Sequence, residues 1–250
     1  MPSCWRSSPR RRRKVACSGR SGNSRIELVI AAEQPPRKGV FEMKVLLING
    51  SPHQRGCTYT ALAEVAKSLE ENGVGAEIAW IGAGAVHGCI ACGKCGELGR
   101  CVFDGDACNE IRAKALEADG LIVGSPVYYA APNGALLSLL QRLFYSGSAA
   151  LSHKPGACVV SARRAGTTAS LDALQKYFTI NHMPLVSSQY WCMVHGNTPE
   201  EVRQDKEGMQ IMRSLGRDMA WLLRCIEAGR QAGIHPPAPE EPRVFTNFIR

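Results

Sequence analysis

A chain of 250 residues, 45% of them apolar, can bury one large core or two small ones. Its formal charge of +8 suggests a nucleic-acid partner until it is divided: residues 1–42 carry ten Lys and Arg against Glu27, Glu33 and Glu42, while residues 43–250 carry twenty against nineteen. The basicity therefore belongs to a leader, which removes the support for a general nucleic-acid surface, and no apolar run approaches the roughly 18 residues of a membrane helix.

That leader, Arg10-Arg11-Arg12-Arg13-Lys14 followed by Ser, Gly and Pro, has no helical or strand periodicity and reads as disordered. It lacks the apolar stretch of a secretory signal, although its Arg- and Ser-rich start also suits an organelle transit peptide. Codons for Lys38-Gly39-Val40, just before Met43, can spell a purine-rich ribosome-binding sequence. The expectation is that translation starts at Met43 and that residues 1–42 are not made in the cell.

From Met43 onward strands and helices alternate. Val45–Ile48 is a continuous apolar run, as a strand buried on both faces requires. Leu62, Val65, Ala66 and Leu69 mark a helix, and Ala76–Ile81 a second strand. Ile111, Ala115 and Leu116 lead into a third strand at Leu121–Val123, and Leu136, Leu137, Leu140 and Leu143 mark the next helix. Cys158–Val160 is the fourth strand, Leu171–Tyr177 a helix, and Leu185-Val186 a short fifth strand. Thr198, Pro199 and Glu201 form a capped helix start, followed by an apolar stripe from Met212 to Ile226. The pattern predicts an α/β fold, a doubly wound, five-stranded parallel sheet in a three-layer sandwich over residues 43–228, with a Pro-rich C-terminal arm at 229–250.

Ligands in such a sheet bind beyond the carboxyl ends of the strands. The loop there, Asn49 to Thr58, combines glycines, hydroxyls, His53 and Arg55 with a helix N-terminus, a combination that suits a phosphate and equally an ordinary capped turn. It is not a nucleotide P-loop, because Gly56-Cys57-Thr58 lacks the lysine. Nor does Gly82-Ala83-Gly84 begin a dinucleotide fingerprint, since His87 stands where the third glycine belongs. A second loop, Ser125–Gly134, sets adjacent tyrosines between prolines, where they either border a flat ring or pack over a helix start. A third, Ser161–Thr168, pairs Arg163 with Arg164 beside a glycine turn, facing an anionic group or solvent.

Cys89, Cys92, Cys95 and Cys101 lie within thirteen residues. Three thiolates at spacing three can wrap a cuboidal 4Fe–4S cluster and the fourth can close it, with Gly88, Gly93, Gly96 and Gly99 loosening the backbone. Zinc is the metal rival, although its structural sites usually pair two separated knuckles. Reduced surface cysteines or a labile disulfide are the remaining alternatives. A domain of this size does not need a disulfide framework, so a reducing cytoplasm is expected.

Gly50-Ser51-Pro52, the clustered cysteines, Asp104 and Asp106, and Gly124-Ser125-Pro126-Val127-Tyr128, in that order, resemble the NADPH-dependent FMN reductase group of flavodoxin-like proteins. Within it, the cysteine run resembles the iron-sulfur flavoproteins. The resemblance covers about Lys44 to Ala228. It implies that Ser51, His53, Cys57, Thr58 and Thr60 hold the FMN phosphate and that Pro126, Val127, Tyr128, Tyr129 and Ala130 border the ring. It also implies that Ser161, Ala162 and Arg163 sit near the ring's far edge. The implied activity takes electrons from NAD(P)H and passes them to flavin, quinone or an iron-sulfur centre, with the cluster close to the flavin. A flavodoxin-type carrier serving protein partners is the alternative, and the near-neutral body disfavours it. The resemblance further implies a homo-oligomer with the flavin near a subunit interface. Gln141-Arg142 replaces an Asp-Arg pair common in relatives, so a structural ion pair is expected to be lost. His182 and His195 are weaker candidates for the substrate side.

Overall fold

The computed structural model describes residues 42–238 together with Glu241, Val244 and Thr246. The readings of the leader and of the end of the arm lie outside the described residues. Five parallel strands, β1 (Lys44–Asn49), β2 (Gly75–Trp80), β3 (Gly120–Tyr128), β5 (Gly156–Ala162) and β6 (Met193–His195), lie in the order β2-β1-β3-β5-β6. The sixth strand, β4 (Ala131–Pro132), folds back antiparallel on the end of β3. With that two-residue strand set aside, the order is the 2-1-3-4-5 of flavodoxin-like folds, and the switch in winding direction falls between β1 and β3.

Burial on both faces explains the unbroken apolar runs. In β1, Leu46 and Ile48 face one core and Val45 and Leu47 the other. The first core is covered by α3 (Cys108–Glu117), α4 (Gly134–Leu151) and α5 (Thr167–Thr179). The second is covered by α1 (Cys57–Glu71), α6 (Pro199–Gln204) and α7 (Lys206–Gln231), whose last residues run three positions past the expected boundary at 228. A four-residue helix, α2 (Cys95–Leu98), lies in the long loop after β2.

Local chemistry sets the ends. Thr198 caps α6 by accepting from the Glu201 amide at 3.3 Å, while the Glu201 carboxylate reaches back to the Asn197 amide at 2.6 Å. At the other kind of end, Lys154 Nζ donates to the carbonyls of Leu116 and Ala118, each at 2.6 Å, and so closes α3.

The fifth strand differs from expectation. Leu185 makes only an isolated bridge to Gly156, and the strand proper is Met193–His195, paired with Val160–Ala162. Pro184 and Ser187-Ser188 flank the first apolar pair, whereas Val194 is fully buried between β5 and the α7 side. The hydrogen-bonded register along β5 decides between two equally short apolar segments.

Candidate functional site

The loop after β1 is drawn into shape by Asn49, which is fully buried. Its side chain accepts from the Ser51 amide at 3.1 Å and donates to the Gln54 carbonyl at 3.0 Å. Trp80 Nε1 donates to the Ser51 carbonyl at 2.7 Å, and the Ser51 hydroxyl accepts from the His53 amide at 3.1 Å. Gly50 is required where this loop meets α4: a Cβ there would lie 2.5 Å from Leu136 Cδ2 and 2.8 Å from the Gly124 carbonyl oxygen.

The N-terminus of α1 carries no side-chain cap at Gly56 and no acid in its first turn. Its first amides, which like those of any helix have no intrahelical acceptor, receive no side-chain cap from Gly56 either. Thr58 is buried and its hydroxyl lies 2.8 Å from that of Ser161, which ties the end of β5 to the first turn of α1. Thr60 turns the other way, donating to the Gly56 carbonyl at 3.1 Å. The Cys57 thiol donates to the Gly196 carbonyl at 3.8 Å, and burial, aided by Glu201 and Glu200, pushes its pKa up. It stands as a neutral thiol beside the loop. His53 is exposed.

The second loop is a hairpin. Val127 pairs with Pro132 and Tyr128 with Ala131, leaving Tyr129 and Ala130 as a two-residue turn, both with positive φ (50° and 60°). Such turns favour Asn and Gly, so this conformation is strained. Tyr129 is fully exposed, Tyr128 partly so, and Pro126 and Val127 half-buried. The third loop docks on the hairpin through Gly166, whose φ is +90° and whose added Cβ would fall 2.6 Å from Ala130 Cα. Ser161 and Ala162 are buried, while Arg163 is exposed and makes no ion pair among the described residues.

A residue the sequence reading passed over joins these loops. Asn133 caps α4 through the Ala135 amide (2.9 Å), donates to the Gly50 carbonyl (2.8 Å), and gives its own amide to Ser125 Oγ (2.9 Å). Pro132-Asn133-Gly134 is a legible helix-start signal, but its reach of 83 positions to Gly50 is not. Of the two histidines, His182 lies at the opposite end of the sheet, beside the start of β5, and His195 sits 3.9 Å from Asp205.

Cys89, Cys92, Cys95 and Cys101 line one recess with Arg142 and Tyr145. The recess is not beside the ring loop. Arg142 and Tyr145 lie eight and eleven residues beyond Gly134, so at 1.5 Å per residue it stands about 12–17 Å along α4. The loop after β2 packs across the middle of α4. Gly93 and Gly99 take positive φ, as does Ala91.

The ion pair expected to be lost is present with another partner. Arg142, 1% exposed, pairs with Asp106, itself buried. Burial alone would raise the Asp106 carboxyl, but Arg142 and the amides of Cys108 and His87 hold it below its usual range. Arg142 also donates to Cys101 Sγ at 3.1 Å and to the carbonyls of Phe103 (2.8 Å) and His87 (3.2 Å). Asn109 holds the Cys101 backbone from the other side, at 3.0 Å to both its amide and its carbonyl. Nearby Cys108 is fully buried and its thiol is pushed up to about 12 by burial, so it stays protonated.

Strand order, the loops at the β1/β3 switch point and the helix N-terminus between them define a flavodoxin-like α/β protein. The family model for NADPH-dependent FMN reductase matches residues 43–198. An iron-sulfur flavoprotein of Methanocaldococcus jannaschii is 30% identical over 193 residues, 74% of this chain and 100% of its own. One from Methanosarcina thermophila is 31% identical over 192 residues, 75% of this chain and 99% of its own. The WrbA-like flavodoxin of Agrobacterium tumefaciens shares the fold, with a TM-score of 0.51 at 18% identity over 73% of this chain and 97% of that one. The chain belongs to the NADPH-dependent FMN reductase family, in its iron-sulfur flavoprotein group, and is a flavin-dependent oxidoreductase. Among the described residues no helix is long and apolar enough to cross a membrane.

Proposed function

We propose that this oxidoreductase binds FMN at the three loops, takes electrons from NAD(P)H, and passes them to flavin, quinone or an iron-sulfur centre. The observation that carries the reading is the convergence of loops at the carboxyl ends of β1, β3 and β5, fastened by the Thr58–Ser161 and Asn133–Gly50 hydrogen bonds. The donors fit a phosphate. Residues 50–60 contain no carboxylate and the first amides of α1 lack intrahelical partners; Ser51, His53, Cys57, Thr58 and Thr60 would hold the phosphate there. Pro126, Val127, Tyr128, Tyr129 and Ala130 would border the ring, with Ser161, Ala162 and Arg163 at its far edge. Bound FMN would supply hydride acceptance and stepwise electron release. The chain's own residues do the rest. The strained hairpin offers an exposed aromatic wall, and Arg163, which makes no ion pair among the described residues, offers positive charge to an electron-rich edge.

We further assign Cys89, Cys92, Cys95 and Cys101 as the holders of a 4Fe–4S cluster. Cys89, Cys92, Cys95 and Cys101 line one recess. Three consecutive short sequence spacings favour a cluster over zinc, whose structural sites usually pair two separated knuckles. In this reading the protein is a cytoplasmic homo-oligomer whose FMN-binding unit is residues 43–228.

Anaerobic purification tests both assignments. The expected product is brown-yellow, releases FMN on denaturation, contains about four iron and four sulfide per subunit, and oxidises NADH or NADPH when flavin or quinone is added. Protein that is colourless and takes up no FMN would end the flavin reading. Flavin without NAD(P)H oxidation would favour a carrier.

A further inference from the structure

We propose that Arg142 sets the reduction potential of the cluster in the cysteine recess, raising it by hydrogen bond and by charge, with Asp106 as the counterweight. The proposal rests on the 4Fe–4S assignment above.

Arg142 is an unusual residue to find in the middle of a helix that packs on a sheet. Arg142 is 1% exposed, and the hydrogen-bond and stacking partners of its guanidinium all belong to the loop that carries the cysteines: Asp106, the carbonyls of His87 and Phe103, the Phe103 ring with its centroid 5.5 Å away, and Cys101 Sγ. Holding that loop would need only the carbonyls and the carboxylate. The bond from Nε to Cys101 Sγ at 3.1 Å does something more, because it aims a permanent cation at a sulfur that faces the recess.

Reduction delivers one electron from the reduced flavin, or from a chemical reductant, and leaves the cluster one unit more negative. Net charge, hydrogen bonds to the sulfurs and solvent exposure are the levers a protein has on that equilibrium. An N–H···S bond from a guanidinium supplies the first two together, in surroundings where water does not screen the charge. Arginine also cannot lose its proton in this range, so the effect is permanent. Asp106 cancels part of the charge without touching Cys101. The two residues therefore act with opposite signs, and neither needs to contact substrate.

The opposite signs make the test specific. Iron and sulfide analysis of the anaerobic 250-residue protein comes first; absence of both would remove the cluster assignment itself. With the cluster present, its midpoint potential is measured by redox titration followed by EPR in wild type, Arg142→Lys and Asp106→Asn. Lysine keeps a charge but loses the planar fork that reaches Cys101. At a fixed potential its reduced-to-oxidised ratio should fall at least tenfold, which is about 59 mV for one electron. Asparagine keeps the acceptor oxygen but not the countercharge, so the potential should rise. A general loosening of the loop would move both variants the same way. Both shifting together, or both staying within threefold of wild type, would overturn the proposal. If the lysine variant assembles no cluster, Asp106→Asn decides alone: a rise supports the assignment and an unchanged or lower potential ends it.

Discussion

Thr58 and Ser161 hold each other's hydroxyl groups at 2.8 Å in a buried position, at the point where an FMN phosphate would approach. Each has one donor hydrogen, so in the free protein one of the two is donating to the other. A phosphate oxygen can accept what is left and complete the set. We predict that Thr58→Ala weakens FMN binding about ten- to a hundredfold, corresponding to about 1.5–3 kcal/mol for a hydrogen bond to a charged group. Fluorescence titration of apoprotein reads this directly, and an unchanged Kd would take Thr58 out of the phosphate site. The sequence alone suggests a phosphate for this loop, because phosphate binding needs glycines, hydroxyls and a helix start in one short stretch. Thr60 shows the limit: composition cannot reveal that its hydroxyl turns back to Gly56. Arg142 shows it more sharply. Its partner was sought at position 141, whereas Asp106 lies 36 positions upstream in a loop with no periodicity to announce its course.

At the scale of elements, α4 is the shared support. Its N-terminus is fixed by Asn133 to the first and second site loops, and its middle bears the cysteine recess. Asn133→Ala removes a cap, worth about 0.5–2 kcal/mol, and strands the buried Gly50 carbonyl. We predict a stability loss of about 1–3 kcal/mol in urea denaturation, together with weaker FMN binding because the two loops come apart. Full stability with weakened FMN binding would show that the residue acts on the ligand and not on the frame. Elements with strong periodicity were legible, α1 and α4 above all. The fifth strand was not, because Leu185-Val186 and Met193-Val194 are equally apolar and equally short. Only the three-residue register with Val160–Ala162 separates them. For the loop after β2, spacing grouped the four cysteines that line one recess but could not say which helix they rest upon.

The whole molecule puts its basic excess outside the described residues, and the family match begins at Met43. We predict that protein started at Met43 keeps the FMN affinity and thermal midpoint of the 250-residue chain. A more than threefold loss of affinity would give the leader a part in the site. Doubly wound topology was legible because alternating strands and helices admit few right-handed arrangements.

The two margins of the sheet carry a consequence for how copies of this chain can meet. One border is β2, six residues long, with Glu77 bridged to Lys44 and Lys114, and the other is β6, only three residues long. Short or charged borders are poor templates for another strand. Among the described residues the sheet is thereby guarded against edge-to-edge aggregation, and association between subunits is better built from helices and loops than by extending the sheet.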